Sequence, residues 1–217
     1  MCIRDSPIVT RDLLEAALTR RTGRPDLVVV DLGVPRNVEP TAATLAGVAL
    51  LDYDGDGYLD IYFVNGAGMP SLVKQGPQYK NRLYHNNHDL TFTDVTDKAG
   101  VGGAGFGIGV AVGDYDNDGR PDLFVANVNG NQLFHNNGDG TFTDVTKKAG
   151  VGGGFYQGKK MWSVAAAWLD YNNDGLLDLF VSNYCRWDPA TEPPCFANGQ
   201  NGERVTCDPR YLSLIHI

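Results

Sequence analysis

The stretch VGDYDNDGRPDLFVAN, residues 112–127, carries Asp114, Asp116, Asp118 and Asp122 within nine positions, and no Glu. Like charges at this density repel one another, so their spacing needs a cause. Numbered from Asp114, the acids occupy positions 1, 3, 5 and 9, and Gly119 occupies position 6. Alternate carboxylates in a tight loop converge on one point, and Gly at position 6 permits the sharp turn. The residues after the loop, Pro121 to Asn127, form a short strand-like run with Pro at its start, where a missing N–H is tolerated.

The pattern recurs. LLDYDGDGYLDIYFVN (50–65) places Asp52, Asp54, Asp56 and Asp60 in the same register, and WLDYNNDGLLDLFVSN (168–183) places Asp170, Asn172, Asp174 and Asp178 there. Position 7 is Tyr58, Arg120 and Leu176, a variation expected if only its backbone carbonyl is used. A second element also repeats: NRLYHNNHDLTFTDVTDKAGVGG (81–103) and NQLFHNNGDGTFTDVTKKAGVGG (131–153). The underlying unit is about 50 residues with loop insertions, the size of a propeller blade. Within a unit the pattern is strand-like throughout: GIGVAVGD, PDLFVAN, QLFH and TFTDVT make four strands. Asn136 to Gly140 is expected to be a hairpin turn rather than a ligand loop. The counterpart Asn86 to Leu90 lacks both glycines. His85 and His135 are expected as strand-end surface residues, and Trp162 and Trp168 as packing between blades.

A hard, oxygen-preferring cation would offset the repulsion, and Ca²⁺ accepts flexible oxygen cages better than Mg²⁺. An EF-hand is excluded, because position 12 is Phe63, Val125 and Val181 rather than Glu and lies in strand-like runs. The competing explanation is a set of Asx turns satisfied by backbone N–H groups. The third loop, with Asn172 for a carboxylate, is expected to bind more weakly. Affinity of roughly 10⁻⁴–10⁻³ M, the range of extracellular modules, is the expectation.

The rest of the chain is consistent with a soluble β protein. Hydrophobic residues make up 42% and charged residues 20% of 217, with 27 Gly. Of the net charge of −8, residues 46–184 carry −7 (16 Asp against 9 Lys and Arg), which argues against a nucleic-acid partner. No 18-residue apolar run exists, so no membrane insertion is expected. The start MCIRDSPIVTRDLL lacks the apolar core of a secretory signal. Cys2, Cys185, Cys195 and Cys207 contain no CxxC pair, which argues against a zinc ribbon. The last three fall in a Pro-rich segment, where one disulfide or three free thiols remain open. Residues 1–45 differ in kind: TRDLLEAALTRR (10–21) predicts a helix and DLVVVDL (26–32) a buried strand.

These motifs resemble the FG-GAP/VCBS repeats of integrin-alpha-like β-propellers. The tail SNYCRWDPATEPPCF…VTCDPRYL further resembles the bacterial branch related to cartilage acidic protein. The resemblance implies an extracellular or cell-envelope propeller, calcium in the Asp loops and a role in adhesion or in binding a protein or carbohydrate ligand. It implies no catalysis. The variable loops 65–80 and 185–210 are where such a ligand would bind. Separately, RPDLVVVDLGVPRNVEP (24–40) resembles glutamyl-tRNA reductase near the end of its nucleotide-binding domain. That enzyme's catalytic Cys region and Gly-rich phosphate loop are not in this sequence. MCIRDS and LSLIHI resemble translated sequencing-adapter read-through, which implies a chimeric chain joined within 41–52.

The expected architecture is therefore mostly β: a partial β-propeller of two to three four-stranded blades (46–184), an N-terminal α/β fragment (1–45) and a Cys/Pro-rich tail (185–217). A calcium-binding module for adhesion or ligand binding is the leading function. The alternatives are an inactive reductase remnant fused to repeats, and a purely structural repeat domain.

Overall fold

The computed structural model describes residues 47–68, 71–156, 158–186 and 213–214. The expected N-terminal helix and strand, Cys2, Cys195 and Cys207 lie outside them.

Three antiparallel four-stranded sheets follow one another along the chain. The first contains β1 (Val48–Leu51), β2 (Asp60–Phe63), β3 (Arg82–Asn86) and β4 (Phe92–Asp94), paired in that order. The second repeats it with β5 (Gly107–Gly113), β6 (Asp122–Asn127), β7 (Gln132–Asn136) and β8 (Phe142–Asp144). The registers coincide: Leu51 opposes Asp60 as Gly113 opposes Asp122, and Ile61 opposes Tyr84 as Leu123 opposes Phe134. The third sheet has β9 (Phe155–Tyr156), β10 (Lys159–Leu169), β11 (Asp178–Arg186) and β12 (Ser213–Leu214), in the order β12-β11-β10-β9. Its central pair, β10 and β11, repeats β5 and β6, with Leu169 opposite Asp178.

The unit is not strand throughout. After each fourth strand the chain makes one helical turn, α1 (Thr96–Ala99) and α2 (Thr146–Ala149). Asp94 and Asp144 each accept the N–H of the Thr two residues on, at 3.0 Å. Thr96 Oγ1 and Thr146 Oγ1 in turn accept the N–H of Leu83 and Leu133. TFTDVT is therefore a strand that its own Asp converts into a turn.

The sheets stack face to face. Leu51, Tyr62 and Leu83 of the first meet Leu123, Val125 and Phe134 of the second in one buried cluster. On its other face, the second sheet's Phe124, Ala126 and Leu133 pack against Trp168, Leu179 and Val181 of the third. Strand alternation thus gives each residue of DLFVAN a buried partner on one side or the other. The close approach of neighbouring first strands demands glycine. A Cβ at Gly109 would lie 2.5 Å from the Val164 carbonyl oxygen, and one at Gly113 2.5 Å from the Trp168 ring. Trp168 stands between the second and third blades, where the sequence places it. Trp162 packs among Leu72, Val128, Phe106 and Ile108.

The insertion after β2 folds across onto the second blade. Leu72 is buried against Val128, and Val73 bridges to Gly105. Lys74 Nζ donates to the carbonyls of Asn65 (2.5 Å), Gly66 (3.0 Å) and Tyr79 (2.6 Å), closing the insertion on itself. A repeated Asn pair holds the same end of each sheet: Asn81 Oδ1 accepts from Asn65 N–H, and Asn131 Oδ1 from Asn127 N–H. All of this lies at the end of the sheets opposite the Asp loops, because β1–β2 and β5–β6 turn at one end and β2–β3 and β6–β7 at the other.

Candidate metal centres

The first two Asp loops join the first two strands of their sheets, the third joins the central pair β10 and β11, and each acid has an identifiable environment. Position 1 caps the loop. Asp52 Oδ1 accepts from Gly55 and Asp56, and Oδ2 from Gly57 at 2.9 Å. Asp114 accepts from Asp118 and Gly119, and Asp170 from Asp174 and Gly175. Position 5 closes a two-residue turn: Asp56, Asp118 and Asp174 accept the N–H of Tyr58, Arg120 and Leu176 at 2.8–2.9 Å. The backbone is left-handed at position 6, as expected from Gly57, Gly119 and Gly175, and also at position 4. There the chain has Gly55, Asn117 and Asn173, the residue types that tolerate it best.

Position 9 is a buried staple. Asp60 Oδ2 accepts the Tyr53 N–H at 3.1 Å and Oδ1 the Asn86 N–H at 2.9 Å, tying loop to third strand. Asp122 does the same with Tyr115 (3.2 Å) and Asn136 (2.7 Å). Both carboxylates are fully buried. Burial raises Asp60 to about 6, against its two backbone hydrogen bonds and with help from the charge on Asp54. Asp122 is raised for the same first reason. Asp178 accepts from Tyr171 alone among the described residues.

Position 3 differs. Among the described residues Asp54 and Asp116 accept no backbone N–H; their carboxylates instead lie beside the other acids of the loop. Asp52, Asp54 and Asp56 bring one oxygen each within 4.8 Å of one another, as do Asp114, Asp116 and Asp118. In the third loop position 3 is neutral, and Asn172 Nδ2 donates to Asp174 at 3.0 Å.

Two histidines join these clusters. His85 Nδ1 lies 3.3 Å from both Asp54 and Asp60, and His135 Nδ1 lies 3.4 Å from Asp116 and 3.3 Å from Asp122. Both Nδ1 atoms are buried without a hydrogen bond of good geometry. The strand-end surface reading of these residues is thereby corrected: β3 and β7 carry them onto the loop, contacts between non-adjacent parts of the chain (Asp54 and Asp60 with His85, Asp116 and Asp122 with His135) that local pattern does not reveal. Position 7 also has a side-chain role. Arg120 pairs with Asp118 and donates Nε to the Asn136 carbonyl at 3.0 Å, passing over Gly138. In the first blade Tyr58 stacks at 3.8 Å on His88, which pairs with Asp56 at 2.5 Å. Asp56 and Asp118 thus each have a nitrogen partner on the outer oxygen, from a different residue in each blade. The turn Asn136–Gly140 is a hairpin, as its sequence predicts: Asp139 accepts from Thr141 N–H and Oγ1.

The loops also touch one another. Asn136 Nδ2 donates to the Tyr53 carbonyl at 2.8 Å, and Asn117 Nδ2 to the Gly175 carbonyl at 3.0 Å. Tyr53 stacks on Phe142 of the next blade and Tyr115 on Trp168 of the next. In the first two loops the residue after the first Asp is therefore an inter-blade contact.

Comparison with known proteins agrees with this organisation. The FG-GAP-like repeat matches twice, over residues 52–125 and 114–181. The shikimate/quinate 5-dehydrogenase family matches residues 3–55. A glutamyl-tRNA reductase of Salinispora arenicola (strain CNS-205) is 46% identical over 71 residues, 32% of this chain and 13% of that protein. The chain thus spans about an eighth of that relative's length. The two kinds of match meet at residues 52–55, at the first Asp loop. With repeats covering residues 52–181 and three sheets built on their register, the chain belongs to the FG-GAP-like repeat family.

Proposed function

We propose that the first two Asp loops bind Ca²⁺ and that the chain is a calcium-stabilised repeat module for adhesion or ligand binding outside the cytoplasm. The observation that carries this reading is position 3. Asx turns account for Asp at positions 1, 5 and 9, each of which accepts backbone N–H groups. They do not account for Asp54 and Asp116, which add like charge to the cluster and accept no backbone N–H among the described residues. A cation explains them, and the donors are carboxylate oxygens suited to a hard ion. Asp52, Asp54, Asp56 and Asp60 would hold one ion with the Tyr58 carbonyl, and Asp114, Asp116, Asp118 and Asp122 another with the Arg120 carbonyl. When bound, the ion supplies charge neutralisation and rigidity. Asp170, Asn172, Asp174, Asp178 and the Leu176 carbonyl would form a weaker third site.

The role is binding rather than catalysis. The ligand is a protein or carbohydrate, and the loops opposite the Asp loops offer the surface. Among the described residues no helix is long and apolar enough to cross a membrane. The test is calorimetric titration of the full chain with Ca²⁺, with Mg²⁺ as control. Two sites with Kd of roughly 10⁻⁴–10⁻³ M for Ca²⁺ and weaker binding of Mg²⁺ are expected. No heat with either ion overturns the reading.

A second reading follows from the His85 and His135 distances. Asp54, Asp60 and His85 form a mixed oxygen and nitrogen set, which suits a borderline ion such as Zn²⁺. Replacing both histidines by Gln separates the two: Ca²⁺ binding persists if oxygens hold the ion, whereas Zn²⁺ binding is lost if nitrogen does.

A further inference from the structure

The second Asp loop holds a positive charge of its own. Arg120 stands at position 7, where only a backbone carbonyl is assigned to a bound ion, yet its side chain is fixed in place. Guanidinium Nη2 pairs with Asp118 Oδ2, and Nε donates to the Asn136 carbonyl at 3.0 Å. The hairpin turn leaves room for it: a Cβ at Gly138 would lie 2.9 Å from Arg120 Cδ. Asn136 is anchored in turn, because its N–H donates to Asp122 at 2.7 Å and its Nδ2 to the Tyr53 carbonyl at 2.8 Å. The residue that receives the position-9 staple therefore also holds the guanidinium against position 5.

Both Asp118 oxygens are engaged in this arrangement, Oδ1 by the Arg120 N–H at 2.9 Å and Oδ2 by the guanidinium. A guanidinium keeps its proton in proteins, so this charge is permanent. It offsets the repulsion among Asp114, Asp116 and Asp118, whose oxygens lie within 4.8 Å of one another. The same charge repels a second cation brought to the cluster and competes with it for Asp118. The sister loops fill this place without a guanidinium: His88 Nε2 meets Asp56 Oδ2 in the first, and Asn172 Nδ2 donates to Asp174 Oδ2 in the third.

We infer that Arg120 is a resident counter-ion of the second loop, which stabilises the empty loop and weakens its hold on a divalent cation. The inference rests on the calcium reading of the loops and adds what sets the affinity of one of them. The two effects have opposite signs, since the guanidinium attracts the carboxylates and repels the ion. Removing a merely structural Arg would lower stability and affinity together.

Titration of the full chain with Ca²⁺ by calorimetry tests it, with Asp54→Asn in every chain to weaken the first loop. Asp54→Asn with Asp116→Asn supplies the heat that does not belong to the second loop. Adding Arg120→Met to Asp54→Asn should tighten the second loop's Kd about threefold to tenfold at low ionic strength, and by less at about 1 M salt. The same change should lower the melting temperature in chelator. Arg120→Lys restores a charge and should undo most of the tightening; Arg120→Gln repeats the test if the Met variant unfolds. A Kd that Arg120→Met leaves unchanged or weakens, with Ca²⁺ still bound, overturns the inference and leaves the calcium reading standing. Tightening as large in Arg120→Lys overturns the role of charge. No calcium heat in any chain, the wild type included, overturns the calcium reading and this inference with it.

Discussion

Replacing Asp122 by Ala should destabilise the chain even when calcium is absent. The Asp122 carboxylate is fully buried and accepts the N–H groups of Tyr115 and Asn136. Alanine leaves both donors without their acceptor, the Asn136 N–H in a buried site and the Tyr115 N–H in a partly buried one. An orphaned buried donor costs about 1–3 kcal/mol, so the pair gives about 2–6 kcal/mol. That is a large part of a typical domain's 5–15 kcal/mol. Asp122→Asn keeps one acceptor but points an amide N–H at the other donor, so about half the loss is expected. Asp178→Ala, whose carboxylate holds only the exposed Tyr171 N–H among the described residues, should cost no more than about 0.5–1.5 kcal/mol, because water can replace the lost acceptor. The assay is urea unfolding in excess chelator, followed by tryptophan fluorescence. An Asp122→Ala chain within about 0.5 kcal/mol of wild type would refute the assignment of position 9 as a structural staple.

Other consequences follow from single contacts. In chelator, the melting temperature should fall as pH rises from about 4 toward 6. The folded state holds a proton on Asp60 up to about 6 while the unfolded chain releases it near 3.8, so raising the pH through this window removes stability; a rising melting temperature there contradicts it. Lys74→Met takes the donor from three carbonyls and should cost about 2–4 kcal/mol. Proteolysis within 65–80 should then accelerate, and an unchanged cleavage rate would show that the ammonium does not hold the insertion. Leu90, exposed and at φ 70°, occupies the place of Gly140 in the second blade's turn. Leu90→Gly should therefore stabilise the chain by about 1 kcal/mol in urea unfolding, and any loss would argue that the first turn differs in kind.

What the sequence revealed and what it concealed divide by range. The Asp spacing, the Gly at position 6 and the strand that follows are local and repeated, so loops, blades and register follow from them. The one-turn helices were concealed because TFTDVT has β-branched and aromatic residues suited to a strand. Only the Asp-to-Thr N–H contact bends it. His85 and His135 were concealed because the acids they meet lie on a strand and loop well before them in the chain; pairing of β2 with β3 and of β6 with β7 brings them over the loops. The alternation of Arg120 with Gly138, and Tyr58 with His88, was available as a difference between repeats at positions 7 and at the hairpin turn. Recognising it required knowing that these positions touch.

Asp54 and Asp116, at position 3, are expected to serve a bound cation rather than the backbone. Asp54→Asn with Asp116→Asn tests this, because neither side chain accepts a backbone N–H among the described residues. In chelator the double variant should melt with the wild type. At 10 mM Ca²⁺, the wild type should gain about 1.4–2.7 kcal/mol per site for Kd of roughly 10⁻⁴–10⁻³ M. The double variant should lose most of that gain. A double variant that calcium stabilises as strongly as the wild type, or a wild type that calcium does not stabilise, would contradict the claim.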